Sequence, residues 1–157
     1  MKKTRLFNVA CLLGVALLVA SCEKYPEGPN FAMSSKAARL EGDWIATSVN
    51  QSGTEWNLSN LTLTNSISKY GTFITSSKEG TFTASTVITV FGLPTTYTSA
   101  GTWEFYDKKT KLIFTETNPA TNSKDTMEIL MLKKDMVKLK QFDYDSGDTF
   151  TYTYEPK

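Results

Sequence analysis

The chain has 157 residues, with 17 basic side chains against 16 acidic ones. That near balance, without a basic patch, argues against nucleic acid as a partner. Histidine is absent and the two cysteines, Cys11 and Cys22, lie near the N-terminus. The rest of the chain therefore cannot assemble a Ser-His-Asp or Cys-His catalytic set, nor offer the N and S ligands that zinc and copper prefer.

The first segment reads as an export signal. Lys2, Lys3 and Arg5 form a basic head, and Leu6 through Ala20 form an apolar stretch of fifteen residues interrupted by Asn8. A bilayer-spanning helix needs about 20 apolar residues, so this one fits a signal peptide better than a span. Val19-Ala20-Ser21-Cys22 follows. It resembles the lipobox of bacterial lipoproteins. The resemblance implies that residues 1–21 are removed, that Cys22 carries two or three lipid chains, and that the membrane is a partner through them. Chains of that number give a stable anchor, at about 0.8 kcal/mol per buried methylene. The expected location is the cell envelope at the outer membrane. Glu23, next to the cysteine, points away from inner-membrane retention.

Taking three basic and no acidic residues from the chain leaves 136 residues with 14 basic and 16 acidic side chains, enough for one domain with a core. Residues 22–35 contain Pro26, Gly28 and Pro29 without apolar periodicity and are predicted to be a lipidated tether. A short helix is expected next: Ser35 caps it, Ala37, Ala38 and Leu40 favour it, and Gly42 ends it.

From Asp43 the pattern changes to period two, rich in threonine, aromatic and β-branched residues. The predicted strands are Trp44–Gln51, Leu58–Asn65, Tyr70–Ser76, Gly80–Phe91, Thr95–Tyr106, Leu112–Thr117, Thr126–Lys133, Val137–Asp143 and Thr149–Tyr154. The turns between them are too short for crossovers, so neighbours pair antiparallel. A meander of eight or nine strands has two bare edges unless it closes. The predicted fold of residues 36–157 is accordingly all-β, an up-and-down antiparallel barrel with a short N-terminal helix; a two-sheet sandwich is the alternative. Alternation places Phe82, Ala84, Ile88 and Val90 on one face, Trp103 with Phe105, Leu112 with Phe114, and Ile129 with Met131.

Leu40-Glu41-Gly42-Asp43-Trp44 precedes the first strand, and Gly101-Thr102-Trp103-Glu104-Phe105 runs through a lysine-rich turn into Lys111-Leu112-Ile113-Phe114-Thr115. Gly42-x-Trp44 after a helical turn resembles the signature of lipocalins. The later hairpin is similar to that of small lipocalin-like lipoproteins common in Bacteroidetes. The resemblance implies that Trp44 packs at the closed end of a barrel and that Gly42 lets the chain turn into the strand. Many lipocalins also carry an arginine on the last strand. This chain has none after Arg39, and Lys140 is the candidate replacement.

The candidate ligand-binding residues are Phe82, Ile88, Trp103, Phe105, Phe114, Ile129 and Met131, as an apolar interior, with Glu116 near its rim. The competing reading fills the interior with those same side chains. Asp143-Tyr144-Asp145-Ser146-Gly147-Asp148 superficially suggests a calcium loop, but it is too short and lacks the closing glutamate, so a hairpin turn is expected. Lys108-Lys109-Thr110-Lys111 is read as a solvated hairpin tip. Asp125-Thr126-Met127 resembles the short O-glycosylation site of Bacteroidetes. No cofactor, metal or catalytic group is expected. The leading function is binding of a small apolar or amphipathic molecule by a lipid-anchored barrel. A solid-cored interaction module displaying Trp56, Tyr97 and Tyr144 is the alternative, and a carboxylate hydrolase built on Glu116 a distant third.

Overall fold

The computed structural model describes residues 25–28, 34–69 and 79–157. The expected signal peptide, Cys22 and the expected strand Tyr70–Ser76 lie outside them. Helix α1 (Lys36–Leu40) opens the domain. Its first turn leaves backbone N–H groups without helical partners, and the Ser35 hydroxyl accepts one of them, from Ala38 N, at 3.1 Å. Gly42 then turns the chain into the sheet at φ +148°, with the Trp44 indole edge 3.6 Å from where a Cβ would stand.

Among the described residues nine strands follow: β1 (Gly42–Gln51), β2 (Thr54–Glu55), β3 (Leu61–Lys69), β4 (Glu79–Val90), β5 (Leu93–Tyr106), β6 (Lys111–Asn118), β7 (Lys124–Leu132), β8 (Val137–Phe142) and β9 (Thr149–Pro156). From β3 to β9 each strand pairs antiparallel with the next, and β1 bridges β3 and β9. Eight strands thus close into a barrel, and β2 is a two-residue appendage on the end of β1. The expected closed barrel is present. The sandwich alternative fails because one continuous sheet pairs its last strand with its first over Trp44–Pro156 to Gln51–Phe150. The structure also corrects the expected strand Leu58–Asn65. Asn57 Oδ1 accepts from Ser59 N at 2.9 Å and caps a 3-10 turn over Leu58–Asn60, so the strand starts at Leu61.

Three β-bulges bend the sheet toward closure. They add Thr47 in β1, Thr117 in β6 and Leu130 in β7. Each reverses the inward and outward parity beyond it. In β1 the inward set runs Trp44, Ala46, then Val49. In β7 it runs Ile129, then Leu132, both no more than 1% exposed. The expectation that Met131 shares the inner face with Ile129 is overturned by the Leu130 bulge. Uniform period two does not survive an inserted residue.

The interior is filled where β5, β6 and β7 meet. Trp103, Leu112 and Ile129 are fully buried there, and the Trp103 and Phe105 rings meet edge to face at 5.4 Å. Trp103 Nε1 donates to Ser68 O at 3.0 Å, satisfying the buried indole N–H. Burying an aliphatic side chain such as Leu112 stabilises the fold by roughly 1.5–3 kcal/mol.

The segment expected to be a free tether is docked at residues 25–28. Tyr25 is buried, and its hydroxyl donates to Lys109 O at 3.1 Å. Glu27 N donates to Leu130 O at 2.8 Å, and Leu132 N to Gly28 O at 3.4 Å. β6 begins only at Lys111, so β7 runs past it, and this short segment pairs with the edge left over. The lysine-rich turn over Asp107–Lys109 is therefore a docking point through its backbone, while the Lys108 and Lys109 side chains are exposed.

Candidate functional site

Away from the filled region the barrel is hollow. A cavity of about 240 Å³ is bounded by α1, β1 and β3 to β9. Its inner end is apolar: Leu40 from α1, Trp44 from β1, Ile67 from β3 and Val137 and Leu139 from β8. Phe82, Phe114, Met127 and Tyr152 form the walls. The Phe82 and Phe114 rings meet edge to face at 5.1 Å, and Tyr152 lies parallel to Tyr154 at 6.2 Å. Trp44 Nε1 donates to Leu40 O at 2.9 Å, which fixes the indole against the helix at the closed end.

Polar groups collect at the opposite end, beside the β6–β7 turn. Glu116, Asp125, Ser99 and Thr86 line the cavity there. Glu116 stands opposite Gly101 across the β5–β6 pair. A Cβ at Gly101 would strike the Thr115 carbonyl and come within 2.9 Å of the Phe82 ring, so glycine is required beside it. Glu116 Oε2 accepts from Thr121 Oγ1 at 2.7 Å and Ser123 Oγ at 3.1 Å. The Thr121 hydroxyl, with those of Ser123 and Ser99, holds the Glu116 carboxyl below its usual range. Asp125 faces Phe114 across the β6–β7 pair and accepts from Gln141 Nε2 at 3.1 Å. It lies at the rim with its residue surface exposed, yet partial enclosure of the carboxyl pushes its pKa up, and the Glu116 charge adds to this. Burial also pushes the Tyr152 phenol up, with the Asp125 and Asp143 charges contributing in the same direction.

Of the residues singled out in the sequence, Phe82, Phe114 and Glu116 come together on the cavity wall, joined by Trp44. Trp103, Phe105 and Ile129 are buried in the filled part of the barrel. Ile88 is 38% exposed, because it pairs with Leu61 at the very start of β3 and the strand then runs beyond the barrel wall. Met131 is carried to the outer face by the bulge. Asp125 is not among the expected cavity residues because the predicted strand begins at Thr126, two residues after β7 starts. The signal was there, since Asp125 has the parity of Met127 and Ile129. Tyr152 and Tyr154 share one parity of β9, and both line the cavity.

The other motifs resolve simply. Asp143 Oδ1 accepts from Asp145 N at 2.9 Å and Ser146 N at 3.4 Å, and Gly147 has φ +76°, so the acidic run is a hairpin turn. Lys140 lies 3.8 Å from Glu128 and half exposed on the outer face, so it does not replace the lipocalin arginine over Trp44. Arg39 instead donates to Leu132 O at 2.6 Å from the buried side of α1. Thr126 is exposed. Trp56, Tyr97 and Tyr144 are all exposed, Tyr97 on β5 and the other two in the connections after β2 and after β8.

No protein-family model matches the chain, and no curated protein sequence does either. Solved structures do. A redesigned beta barrel matches with a TM-score of 0.52 at 14% identity, over 81% of this chain and 99% of its own. Japanin from Rhipicephalus appendiculatus, solved bound to cholesterol, matches with a TM-score of 0.52 at 11% identity, over 78% of this chain and 79% of its own. At such identities the likeness is one of fold, and the fold is a lipocalin-like barrel.

Proposed function

We propose that this chain is a lipid-anchored envelope protein whose barrel binds a small apolar or amphipathic molecule. The cavity carries the reading. A barrel of eight strands can be packed solid by its own side chains, and this one leaves about 240 Å³ between an apolar inner end and a polar rim. Apolar cavities of about 150 Å³ already hold a benzene-sized guest, whereas pockets for drug-sized ligands run to roughly 300–1,000 Å³. The guest is accordingly compact. Japanin's bound cholesterol supports the use of such a barrel as a container, though not the same cargo. Among the described residues the barrel interior is only partly packed, which favours this reading over the solid-cored interaction module.

The test follows the Trp44 indole N–H and Met127 methyl signals by NMR while 2-phenylethanol is added. Saturable shifts are expected, and Ala84→Phe, which fills the cavity, should abolish them. If neither signal moves and native mass spectrometry of the purified protein shows no bound small molecule, the container reading is wrong. The anchor rests on the Val19–Cys22 motif. Cys22→Ala should move the protein from the membrane pellet to the soluble fraction, and a variant that still pellets would overturn the anchor alone.

A further inference from the structure

We infer that the cavity selects a compact ligand bearing a protonated amine, its apolar body against Phe82, Phe114 and Trp44 and its ammonium at the rim between Glu116 and Asp125. The inference rests on the container reading and adds the charge of the guest.

The lining is one-sided in charge. Glu116 and Asp125 both line the cavity, and among its described lining residues there is no lysine or arginine. Arg39 is held at the closed end by Leu132 O. Lys111 pairs with Asp107 at 3.0 Å, and Lys140 lies near Glu128, both on the outer surface. Lys124 lines a groove on that outer surface, to which Asp125 also contributes. Neither rim carboxyl has its titration lowered by a basic neighbour. Glu116 is held down by hydroxyls alone, and Asp125 is raised by enclosure and by Glu116. The two acids, on the neighbouring strands β6 and β7, therefore repel one another at the rim, and a cation beside both would relieve that repulsion while gaining charge-assisted hydrogen bonds.

The neighbours of the acids suit an ammonium as well. Phe114 stands directly opposite Asp125 on the adjacent strand, and Tyr152 is close enough for the Asp125 charge to be felt at its phenol. Aromatic faces beside a carboxylate hold a cation by their quadrupoles. Among the described residues, the donors to these acids are hydroxyls and the Gln141 amide. A carboxylate guest of equal size would meet like charge in the same place. A neutral alcohol would fill the apolar part and leave the rim repulsion as it is.

Matched ligands on one body separate these cases: 2-phenylethylamine, 2-phenylethanol and phenylacetate, titrated at pH 7 against the full barrel with the same Trp44 and Met127 signals. The ammonium is expected to bind at least about tenfold more tightly than the alcohol, and phenylacetate most weakly. In the Glu116→Gln, Asp125→Asn double variant the alcohol affinity should hold while the ammonium advantage falls below about threefold. The comparison within the unaltered protein stands even if that variant fails to fold. Equal binding of alcohol and ammonium, tighter binding of phenylacetate, or an ammonium preference that survives neutralising both acids would overturn the charge selection and leave the container standing. Failure of all three to bind, with no other guest found, overturns both.

Discussion

At the residue scale, the cavity depends on side chains whose polar atoms are buried and answered. Tyr154 is the plainest case. It is 7% exposed, stacked on Tyr152, and burial pushes its phenol pKa far above the usual value of 10.0, only partly opposed by a hydrogen bond with Asn65. A raised phenol pKa sets the sign of a pH dependence. Below about pH 10 the phenol is neutral in folded and unfolded chains alike and costs nothing. Above it the unfolded chain loses the proton while the folded one retains it, so stability falls as pH rises. The expected slope is up to about 1.4 kcal/mol per pH unit for such a group. Urea titrations at pH 9, 10 and 11, with phenolate absorbance followed in parallel, check this. The chain has seven tyrosines, and Tyr154 should ionise only as the barrel unfolds. Complete ionisation of all seven near pH 10, with the sheet intact, would contradict its placement.

At the element scale, the β4–β5 hairpin stands apart. β6 pairs with β5 only from Ala100 onward, and β3 meets β4 only up to Ile88. The hairpin therefore projects beyond both neighbours and ends at Phe91-Gly92. Phe91 is fully exposed at φ +52°, and Gly92 has φ +78°. A two-residue turn with both φ values positive favours Asn-Gly, because a bulky side chain is uncomfortable in the left-handed region. Phe91→Asn should therefore stabilise the domain, by a few tenths to about 1 kcal/mol, read as a higher urea midpoint at unchanged slope. Destabilisation would mean that the ring packs against something the hairpin carries. Because the tip is away from the cavity lining, ligand binding should not change.

At the scale of the whole molecule, residues 25–28 dock on the barrel just after Cys22, the proposed site of lipid attachment. Only Glu23 and Lys24 separate that cysteine from the buried Tyr25. Glu27 strengthens the attachment through an ion pair with Lys138 at 2.7 Å, though an exposed pair of this kind contributes little, roughly 0–1 kcal/mol. Tyr25 matters more. Tyr25→Ala removes a buried ring and the hydrogen bond to Lys109 O, and should cost about 2–4 kcal/mol. It should also raise hydrogen exchange at Ile129–Leu132, whose edge the segment covers. A loss below about 0.5 kcal/mol, with exchange unchanged, would mean that the segment does not hold the barrel in solution.

The sequence alone determined most of the strands, the antiparallel order and the short helix after Ser35, because period two, short turns and the Ser35 cap are local signals; it missed β2 and began β3 too early. It also identified Trp44 and Gly42, whose spacing is itself local. Closure was inferred from the cost of bare edges, not seen. Three things were decided only by the tertiary structure. The bulges at Thr47, Thr117 and Leu130 leave no mark in a hydrophobic pattern, yet each turns the following side chains to the other face, which is why Met131 lies outside. The docking of residues 25–28 depends on β7 outrunning β6, a difference of strand length between distant elements. Whether the interior is filled or hollow depends on where strands from across the barrel bring their side chains. Local pattern fixes which residues share a face only within an uninterrupted run of strand, whereas the space left between opposite walls is set by all the strands together.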